Sequence, residues 1–379
     1  MGIPVISFFT GGGFLDIGFE LAGFDVVWTN EVSPAFASMY AHGVTAWRRA
    51  LGRKPLPAAI ANQRNIVELT DREVLREAFG VQRPPLFGAI GGPPCPDFSA
   101  GGRNTGAEGN HGRLTRTFIE LVCGIRPHFF VMENVPGLCR TKKHRRHLDD
   151  IVEYAEARGY AVDFALLNAL ELGVPQDRER LFMVGVKRRL AAQCLRRRVD
   201  AGDRGWYCWP QDPRYLGAKE LPWPRIASGG RVCKPRGIPL ELTVYPLLAG
   251  SPGPESLPNG SEFFRPRSAK FAERAEGDCS NKSFKRLHRY RYSPTAWYGN
   301  NEVHLHPWKP RRLSVREALR IQTVPDEYAL PPEGALSAKF KLICNGVPCR
   351  MAQRVADSVK LFVAPATERL AQEKALRAG

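Results

Sequence analysis

Alternation between short apolar runs and helical segments is the feature of this 379-residue sequence that most restricts its fold. Five apolar runs are typical of strands buried on both faces of a sheet, and they occupy residues 4–9, 26–28, 86–90, 128–132 and 181–186. A capping box from Thr70 to Glu73 predicts a helix that ends near Phe79. Strands that alternate with helices predict an α/β fold with a mostly parallel, doubly wound sheet.

This rhythm stops over residues 200–310, where Pro, Gly, Trp, Tyr and Arg are frequent. Residues 187–312 hold 25 Lys and Arg against 11 Asp and Glu, a net charge of +14, while the whole chain carries +17. A neutral sheet beside a strongly basic segment predicts an enzyme core joined to a module that binds a polyanion such as nucleic acid. Some aromatic residues of this segment would form its core, and others would stack on bases or line a groove.

A second capping box, Ser314 to Glu317, predicts that regular structure resumes after the basic segment. We therefore expect two domains. Residues 1–188 together with 330–379 would form the large one, and residues 189–329 would form a smaller, irregular, β-containing one.

Composition and patterning exclude several classes of protein. Hydrophobic residues make up 43% and charged residues 25%, which is ordinary for a globular chain. No apolar run is long enough for a membrane-spanning helix, and the first nine residues lack the basic region of a secretory signal. The nine cysteines include no C-x-x-C pair, which argues against a disulfide framework and a thiolate zinc site. His304 and His306 lack a third ligand nearby, so we expect no metal. Together these features predict a cytoplasmic protein without a membrane partner.

The first strand leads into a glycine-rich turn, residues 9–13, and a helix follows from about Leu15. A strand, such a turn and a helix form a pocket for a nucleotide-type ligand at the carboxyl end of a sheet. The dinucleotide pattern G-x-G-x-x-G would need glycine where Asp16 stands, and that carboxylate would repel a pyrophosphate. A nicotinamide cofactor is therefore disfavoured, whereas an adenosyl ligand is tolerated. Glu31, after the second strand, suits hydrogen bonds to ribose hydroxyls.

Three further segments carry reactive or charged side chains at strand ends. Three prolines stiffen the backbone around Cys95, which follows a strand and is placed to attack a bound ligand. Residues 100–113, with five glycines, predict a loop that closes over the site. Glu133 ends the next strand, where burial would raise its pKa and suit it to proton donation. Arg178 and Arg180 stand where the last strand begins, and at least one of them could point into the site.

Taken in order, these motifs resemble those of the DNA cytosine-5 methyltransferase family of the prokaryotic restriction-modification type. Two closing motifs add to the resemblance: residues 312–326 are similar to the family's ninth conserved block and residues 343–348 to its last. The resemblance covers about residues 4–190 and 300–360. It implies a Rossmann-like S-adenosylmethionine methyltransferase sheet, with the variable basic segment as a target-recognition domain.

The function that the resemblance implies is methyl transfer from S-adenosylmethionine to C5 of a cytosine flipped out of duplex DNA. Cys95 would add to C6, protonated Glu133 would relieve charge at N3, and Arg180 would orient the ring at its O2. Arg178 would support the site or bind phosphate. The enzyme would act as a monomer on double-stranded DNA at the nucleoid of a prokaryote, with a separate restriction endonuclease as its cognate partner.

The resemblance also assigns nine residues to the cofactor: Phe9, Gly11, Gly13, Glu31, Asn65, Ile66, Pro94, Leu114 and Asn345. Five positions depart from the usual family pattern: Phe14, Asn65, Pro96, Cys344 and Gly346. Phe14 replaces a common third glycine, Asn65 an aspartate that accepts from the adenine amino group, and Pro96 a frequent glutamine. None of these changes removes a catalytic group, so activity is expected.

Two alternatives remain open at the level of sequence. One branch of the family methylates tRNA, but it carries a Cys-Phe-Thr tripeptide that is absent here. A non-catalytic DNA-binding protein on the same fold would be expected to have lost the Pro-Cys or the Glu-Asn-Val motif, and this sequence retains both.

Overall fold

A six-stranded sheet forms the centre of the protein. The computed structural model describes residues 2–53, 62–94, 110–226, 232–281, 283–296, 298 and 303–378. The strands of the sheet are β1 (Ile3–Phe8), β2 (Phe24–Asn30), β3 (Gly88–Gly91), β4 (Phe129–Asn134), β5 (Tyr160–Asn168) and β6 (Glu179–Lys187). Their order across the sheet is β2-β1-β3-β4-β6-β5. The first four are mutually parallel, and β6 runs antiparallel to both of its neighbours.

Twelve helices occur in the described ranges. In chain order, the first seven are α1 (Phe14–Leu21), α2 (Pro34–Ala50), α3 (Asp71–Phe79), α4 (Asn110–Ile125), α5 (Gly137–Arg140), α6 (Lys142–Ala157) and α7 (Arg188–Leu195). The remainder are α8 (Tyr245–Ala249), α9 (Lys270–Glu273), α10 (Val315–Ile321), α11 (Leu336–Asn345) and α12 (Cys349–Ala378). Both predicted capping boxes are present, at the start of α3 and of α10. No helix in the described ranges combines the length and apolar character needed to cross a bilayer.

The sheet is covered on both faces, which confirms the predicted doubly wound fold. Along β4, Phe129 and Val131 point to one face, where they join a core that includes Val355 of α12. Phe130 and Met132 alternate with them and point to the other face, against α4 and α6. Burial on both faces is the reason that these strands are nearly continuous apolar runs in the sequence.

Strand β5 was not predicted, and its position in the sheet explains why. It is an edge strand paired only with β6, and it is partly exposed over its second half. Asp163 interrupts the apolar run in its middle. The carboxylate of Asp163 is nevertheless buried, because its Oδ2 accepts the backbone N–H of Tyr207 at 3.1 Å. That long-range contact has no signature in the local sequence.

The basic segment forms few strands. Its two described strands, β7 (Lys285–Arg286) and β8 (His304–Leu305), form a short parallel pair. Some of its charge is structural, because the buried guanidinium of Arg286 donates to the carbonyl oxygens of His306 and Lys309 at 2.6 and 3.0 Å. Such arginines cannot contact phosphate, so the charge count overstates the surface available to a polyanion.

The core of the sheet continues into the basic segment. Trp206 and Tyr207 are buried in the same apolar cluster as the sheet and α12, so these two aromatic residues do not stack on bases. A separate apolar cluster joins α2 to α10 and α11, and it includes Leu248 and Leu287. Packing therefore ties residues from both ends of the chain to the basic segment.

Candidate active site

Among the residues that the structure describes, most of the predicted functional residues lie at or near one edge of the sheet. Strands β1 to β4 are parallel, so their carboxyl ends share this edge, and β6 starts from it because it runs in the opposite direction. The register aligns Phe8 with both Asn30 and Gly91, and Gly91 with Met132. We call this the carboxyl edge. A ligand crevice is expected at such an edge in an open α/β sheet.

The glycine-rich turn lies at the carboxyl edge in a conformation that most residues avoid. Phe9, Gly11 and Gly13 have φ values of 54°, 53° and 78°. Gly11 donates its backbone N–H to Oε2 of Glu31 at 2.9 Å, and Oε1 of Glu31 accepts from the N–H of Ser33 at 2.9 Å. Both carboxylate oxygens of Glu31 are thus oriented by the backbone. The turn and the residue predicted to bind the ribose are therefore in direct contact.

The turn has the properties of a cradle for a polar ligand. A Cβ atom added to Gly11 would meet nothing within 4 Å, so the turn is open on that side. The hydroxyl oxygen of Thr10 and the side-chain nitrogen of Asn134, both at the carboxyl edge, are buried and have no hydrogen-bond partner among the described residues. Buried polar atoms without partners are uncommon in folded proteins, and a bound ligand can satisfy them. These features fit an adenosyl group with its hydroxyls and amino group.

Two further residues predicted to bind the cofactor lie close to this cradle. The side-chain nitrogen of Asn30, at the end of β2, donates to the carbonyl oxygens of Asn62 and Arg64, which brings Asn65 and Ile66 to the carboxyl edge. Asn65 is exposed, and its Oδ1 accepts the N–H of Val67 at 3.3 Å. Ile66 is buried.

Leu114, Pro94 and Asn345 complete the predicted set. Leu114 of α4 packs against the same apolar cluster as Phe9. Pro94 is half-buried and is the last described residue before the reactive cysteine. Asn345 is exposed at the end of α11, next to Gly346, which contacts Phe14 after the glycine-rich turn.

Asp16 does not face the crevice, and the charge argument based on it is wrong. Its carboxylate is 1% exposed and accepts hydrogen bonds from Ser7 Oγ at 2.6 Å and from the Tyr40 hydroxyl at 2.8 Å. Burial raises its pKa from 3.8 to about 6. The residue is part of the packing between β1, α1 and α2, so its carboxylate would not contact a bound pyrophosphate directly. The argument against a dinucleotide ligand then rests on the missing third glycine alone.

Glu133 and Arg180 form a buried pair at the carboxyl edge. Nε of Arg180 lies 2.9 Å from Oε1 of Glu133, and both side chains are about one-tenth exposed, at 12% and 10% respectively. Oε2 of Glu133 points the other way, 3.0 Å from where a Cβ atom of Gly92 would stand. Glu133 therefore borders Gly92, three residues before Cys95, as well as the first residues of β6.

Burial dominates the protonation of this pair. Desolvation raises the pKa of Glu133, while Arg180 and Arg178 lower it by a smaller amount. Desolvation also lowers the pKa of Arg180, which Glu133 partly opposes. A carboxyl group with a raised pKa beside an arginine can hold a proton at one oxygen and accept a hydrogen bond at the other.

Arg178, two residues before Arg180, has different surroundings. It is fully buried and donates through Nη2 to the carbonyl oxygens of Cys344 at 2.7 Å and Gly346 at 2.9 Å. Burial lowers its pKa to about 9. A guanidinium with no accessible surface cannot bind phosphate, so its contacts fit the other expected role, support of the site. The residues that it supports flank Asn345.

Three side chains that were not among the predicted site residues hold the backbone near the site. Gln322 donates to the carbonyl oxygen of Ile343 at 2.6 Å and accepts from Nε2 of Gln176 at 3.0 Å. The hydroxyl of Tyr328 donates to the carbonyl oxygen of Gly12 at 3.0 Å. Both glutamines lie in segments that resemble motifs of the family, so those motifs could have identified them as residues of the site. Nothing in the sequence indicates the partner of Tyr328.

The predicted nucleophile, Cys95, lies outside the described residues, as do Pro96 and the glycine-rich loop up to residue 109. The strand β3 and residues 92–94 lead to Cys95 from the carboxyl edge. Within the described ranges, no group of three or more His, Cys, Asp or Glu side chains could hold a metal ion. His306 is buried, and its Nδ1 accepts the backbone N–H groups of Trp308 and Lys309 at 3.3 and 3.2 Å.

Two of the departures from the family pattern are in contact with each other. Phe14 is 1% exposed, and its ring fills the space beside Gly346, where an added Cβ would come within 2.2 Å of Cδ2 of the ring. Cys344 is half-buried, and its Sγ accepts the backbone N–H of Tyr298 at 2.9 Å. Phe14 and Gly346 are therefore complementary in size.

Comparison with known proteins places the chain among DNA-modifying enzymes. The family profile described as C-5 cytosine-specific DNA methylase matches residues 64–204 and 260–361. The chain is 42% identical over 367 residues to the Type II methyltransferase M.NmeDI of Neisseria meningitidis serogroup C, with 95% of this chain and 84% of the relative covered. It is 28% identical over 373 residues to M.MthTI of Methanothermobacter thermautotrophicus, with 95% and 98% covered.

Solved structures show the same fold at lower sequence identity. The Dnmt2 methyltransferase of S. pombe superimposes with a TM-score of 0.57 at 11% identity, with 96% of this chain and 99% of that chain covered. This likeness concerns the fold alone. The profile, in contrast, matches more than half of the chain, and M.NmeDI is aligned over nearly all of it. The chain belongs to the C-5 cytosine-specific DNA methylase family.

Proposed function

We propose that this chain transfers the methyl group of S-adenosylmethionine to C5 of a cytosine within a specific duplex DNA sequence, as the modification enzyme of a restriction-modification system. Methylation of cytosine C5 in DNA is the activity of the family to which the chain belongs. The observation that carries the proposal is the buried Glu133–Arg180 pair beside Gly92, three residues before Cys95, at the same edge of the sheet as the glycine-rich turn.

The first step assigned to this chain is nucleophilic addition. Cytosine C5 is a poor nucleophile, and addition of the Cys95 thiolate to C6 places electron density at C5. The bond between Sγ and C6 breaks again when the C5 proton is lost after methylation, which regenerates the thiolate. The target base must leave the duplex to reach the thiol, so base flipping is part of the proposal.

Glu133 supplies the proton that this addition requires. Because Nε of Arg180 donates to Oε1, the proton of the neutral carboxyl group belongs on Oε2, the oxygen that faces Gly92. From there it can be donated to N3 of the cytosine as charge develops on the ring. Burial raises the pKa of Glu133, which favours the acid form that this donation requires.

Arg180 orients the ring and holds Glu133 in place. Its Nε is engaged by Glu133, and its Nη1 donates to the backbone oxygen of Glu179 at 2.7 Å. Nη2 accordingly is the group proposed to donate to O2 of the cytosine. Arg178 does not contact the base in this scheme; it positions the backbone on both sides of Asn345.

The cradle at the carboxyl edge is proposed to hold S-adenosylmethionine. When bound, this cofactor supplies an electrophilic methyl group on a sulfonium centre. Glu31 would accept hydrogen bonds from the ribose hydroxyls, and Phe9, Gly11 and Gly13 would line the ligand. Asn65 and Ile66 would contact the adenine from one side, and Pro94, Leu114 and Asn345 would complete the pocket.

DNA would lie between the carboxyl edge and the basic segment. We propose the division of the chain into a catalytic domain, residues 1–188 with 330–379, and a target-recognition domain, residues 189–329. The enzyme would act as a monomer on DNA at the nucleoid of a prokaryote, with its cognate endonuclease acting separately. Two short contacts support the junction: the Asp177 N–H donates to Ser293 O at 2.9 Å, and Thr295 Oγ1 donates to Asp177 O at 2.6 Å.

The test is transfer of radiolabel from S-adenosylmethionine to duplex DNA and, in parallel, to total tRNA, with the labelled base identified by digestion and chromatography. We expect 5-methylcytosine in DNA. Cys95→Ala should abolish transfer while leaving S-adenosylhomocysteine binding nearly unchanged, and Cys208→Ala, at an exposed cysteine, is the matched control. Label in tRNA alone would overturn the substrate, and loss of ligand binding in Cys95→Ala would show that the thiol is misplaced.

A further inference from the structure

We propose that Tyr328 is a positioning residue for the glycine-rich turn, and that its hydroxyl holds the Gly12 carbonyl so that the turn has its ligand-binding shape before the ligand arrives. This inference rests on the proposed function, because it assumes that the turn binds an adenosyl ligand. The two residues are 316 positions apart in the sequence. The contact therefore links the segment between α10 and α11 to the turn that follows β1.

The geometry around Tyr328 leaves its ring one place to lie. The side chain is fully buried, and its hydroxyl donates to the carbonyl oxygen of Gly12 at 3.0 Å. One edge of the ring lies where a Cβ of Gly43 would stand, with Cε2 and Cζ only 2.3 Å from that position. The ring also packs edge-to-face on Phe14, with centroids 5.7 Å apart. Glycine at position 43 is what admits the ring between α2 and the turn.

The backbone of Tyr328 is anchored independently of the turn. Its carbonyl oxygen accepts from Nη2 of Arg316 at 2.8 Å, and Nε of the same arginine donates to the carbonyl oxygen of Pro258 at 2.9 Å. Its N–H donates to the carbonyl oxygen of Pro325 at 3.1 Å. The hydroxyl is thus presented to Gly12 from a fixed frame, and burial raises its pKa, so it remains a donor.

The turn needs such a restraint because it consists of three consecutive glycines. Glycine loses more conformational freedom on ordering than any other residue. Gly11 is held by Glu31, and the N–H of Gly13 is held by the carbonyl oxygen of Thr10 at 2.8 Å. Tyr328 supplies the corresponding restraint at Gly12. A turn that is ordered in advance binds its ligand more tightly, because less freedom is lost on binding.

The proposal is tested by the affinity of the full chain for S-adenosylhomocysteine, measured by isothermal titration calorimetry. Tyr328→Phe removes one oxygen atom and should raise Kd about 3- to 10-fold, which corresponds to about 0.7 to 1.4 kcal/mol. Tyr160→Phe is the matched control, since Tyr160 is also buried and its hydroxyl donates to the carbonyl oxygen of Pro127 at 2.8 Å, at the opposite edge of the sheet. Its Kd should equal that of the wild type.

A second variant reaches the same contact by a different route. Gly43→Ala keeps the hydroxyl but pushes the ring away from its site, and it should weaken binding at least as much as Tyr328→Phe. An unchanged Kd in Tyr328→Phe, an equal change in Tyr160→Phe, or loss of folding in Tyr328→Phe on circular dichroism would each overturn the positioning role. Failure of the wild-type chain to bind the ligand at all would instead refute the proposed cofactor.

Discussion

Replacing Gly346 by alanine would force a methyl group into the space that the Phe14 ring fills. The added Cβ would stand 2.2 Å from Cδ2, 2.8 Å from Cε2 and 3.1 Å from Cγ of the ring. Phe14 cannot turn aside, because it is 1% exposed and packs on Tyr328. The backbone at Gly346 is ordinary, with φ of −67° and ψ of 149°, so alanine adds no backbone strain. The effect of this substitution on the folded state is therefore steric.

The expected magnitudes follow from this packing. Overpacking of a rigid core by one methyl group destabilises by about 1–3 kcal/mol, which is the range for Gly346→Ala. Phe14→Ala leaves a cavity and should lower the free energy of unfolding by about 3–5 kcal/mol. In the double variant the new methyl group at residue 346 occupies part of that cavity without a clash. We therefore expect the double variant to be about 1–3 kcal/mol more stable than the sum of the two single effects.

The assay is urea unfolding of the wild type, both single variants and the double variant, followed by far-UV circular dichroism. Gly253→Ala serves as a control for the glycine change itself. That glycine has φ of −62°, and an added Cβ would meet only Oε2 of Glu255 at 3.6 Å, an ordinary contact. Additivity of the Phe14 and Gly346 effects within about 0.5 kcal/mol would refute the idea that these two departures from the family pattern compensate each other.

Three further outcomes are expected. Glu133→Gln should lower kcat by about 100-fold or more, because glutamine cannot donate a proton. Since the pKa of Glu133 is raised and the protonated form is the active one, the wild-type rate should fall as pH rises through that pKa. A pH-rate profile without such a limb would contradict the acid role. The pKa of Asp16 rises from 3.8 to about 6 on folding, so its ionisation opposes the folded state. The free energy of unfolding should therefore fall by up to about 3 kcal/mol between pH 4 and 7. Urea titrations at several pH values should show that Asp16→Asn lacks this part of the pH dependence. Affinity for a DNA duplex, measured by fluorescence anisotropy, should fall steeply with salt if the basic segment contacts phosphates, and a flat response would exclude those contacts.

Much of the fold was predictable because buried strands appear in the sequence as local patterns of apolar residues. Strands β1, β3, β4 and β6 are covered on both faces, so their sequences are apolar runs that can be recognised one at a time. The two capping boxes are equally local, since donor and acceptor are three residues apart. Strand β5 has no such continuous apolar run. It lies at an edge, and its central Asp163 is compensated by the backbone of a residue 44 positions away.

The candidate site divides in the same way. Parallel strands end at one edge, so the positions of Glu31 and Glu133 at strand ends are enough to predict that both lie there. The orientation of side chains could not be predicted in this way. Asp16 belongs to the helix after the glycine-rich turn, yet its side chain points into the core. Arg178 and Arg180 are two residues apart, yet their side chains have different surroundings. Arg180 reaches Glu133, whereas Arg178 is fully buried against backbone carbonyls.

The sequence by itself determined the class of sheet, the kinds of reactive group at its carboxyl edge and the family, because periodicity, capping and motif order are properties of neighbouring residues. Only the tertiary structure decided which groups touch. Tyr328 and Gly12, or Phe14 and Gly346, are brought together by packing across more than three hundred positions of the chain. Such contacts depend on how whole elements fit against one another, and no local pattern of residues specifies the partner.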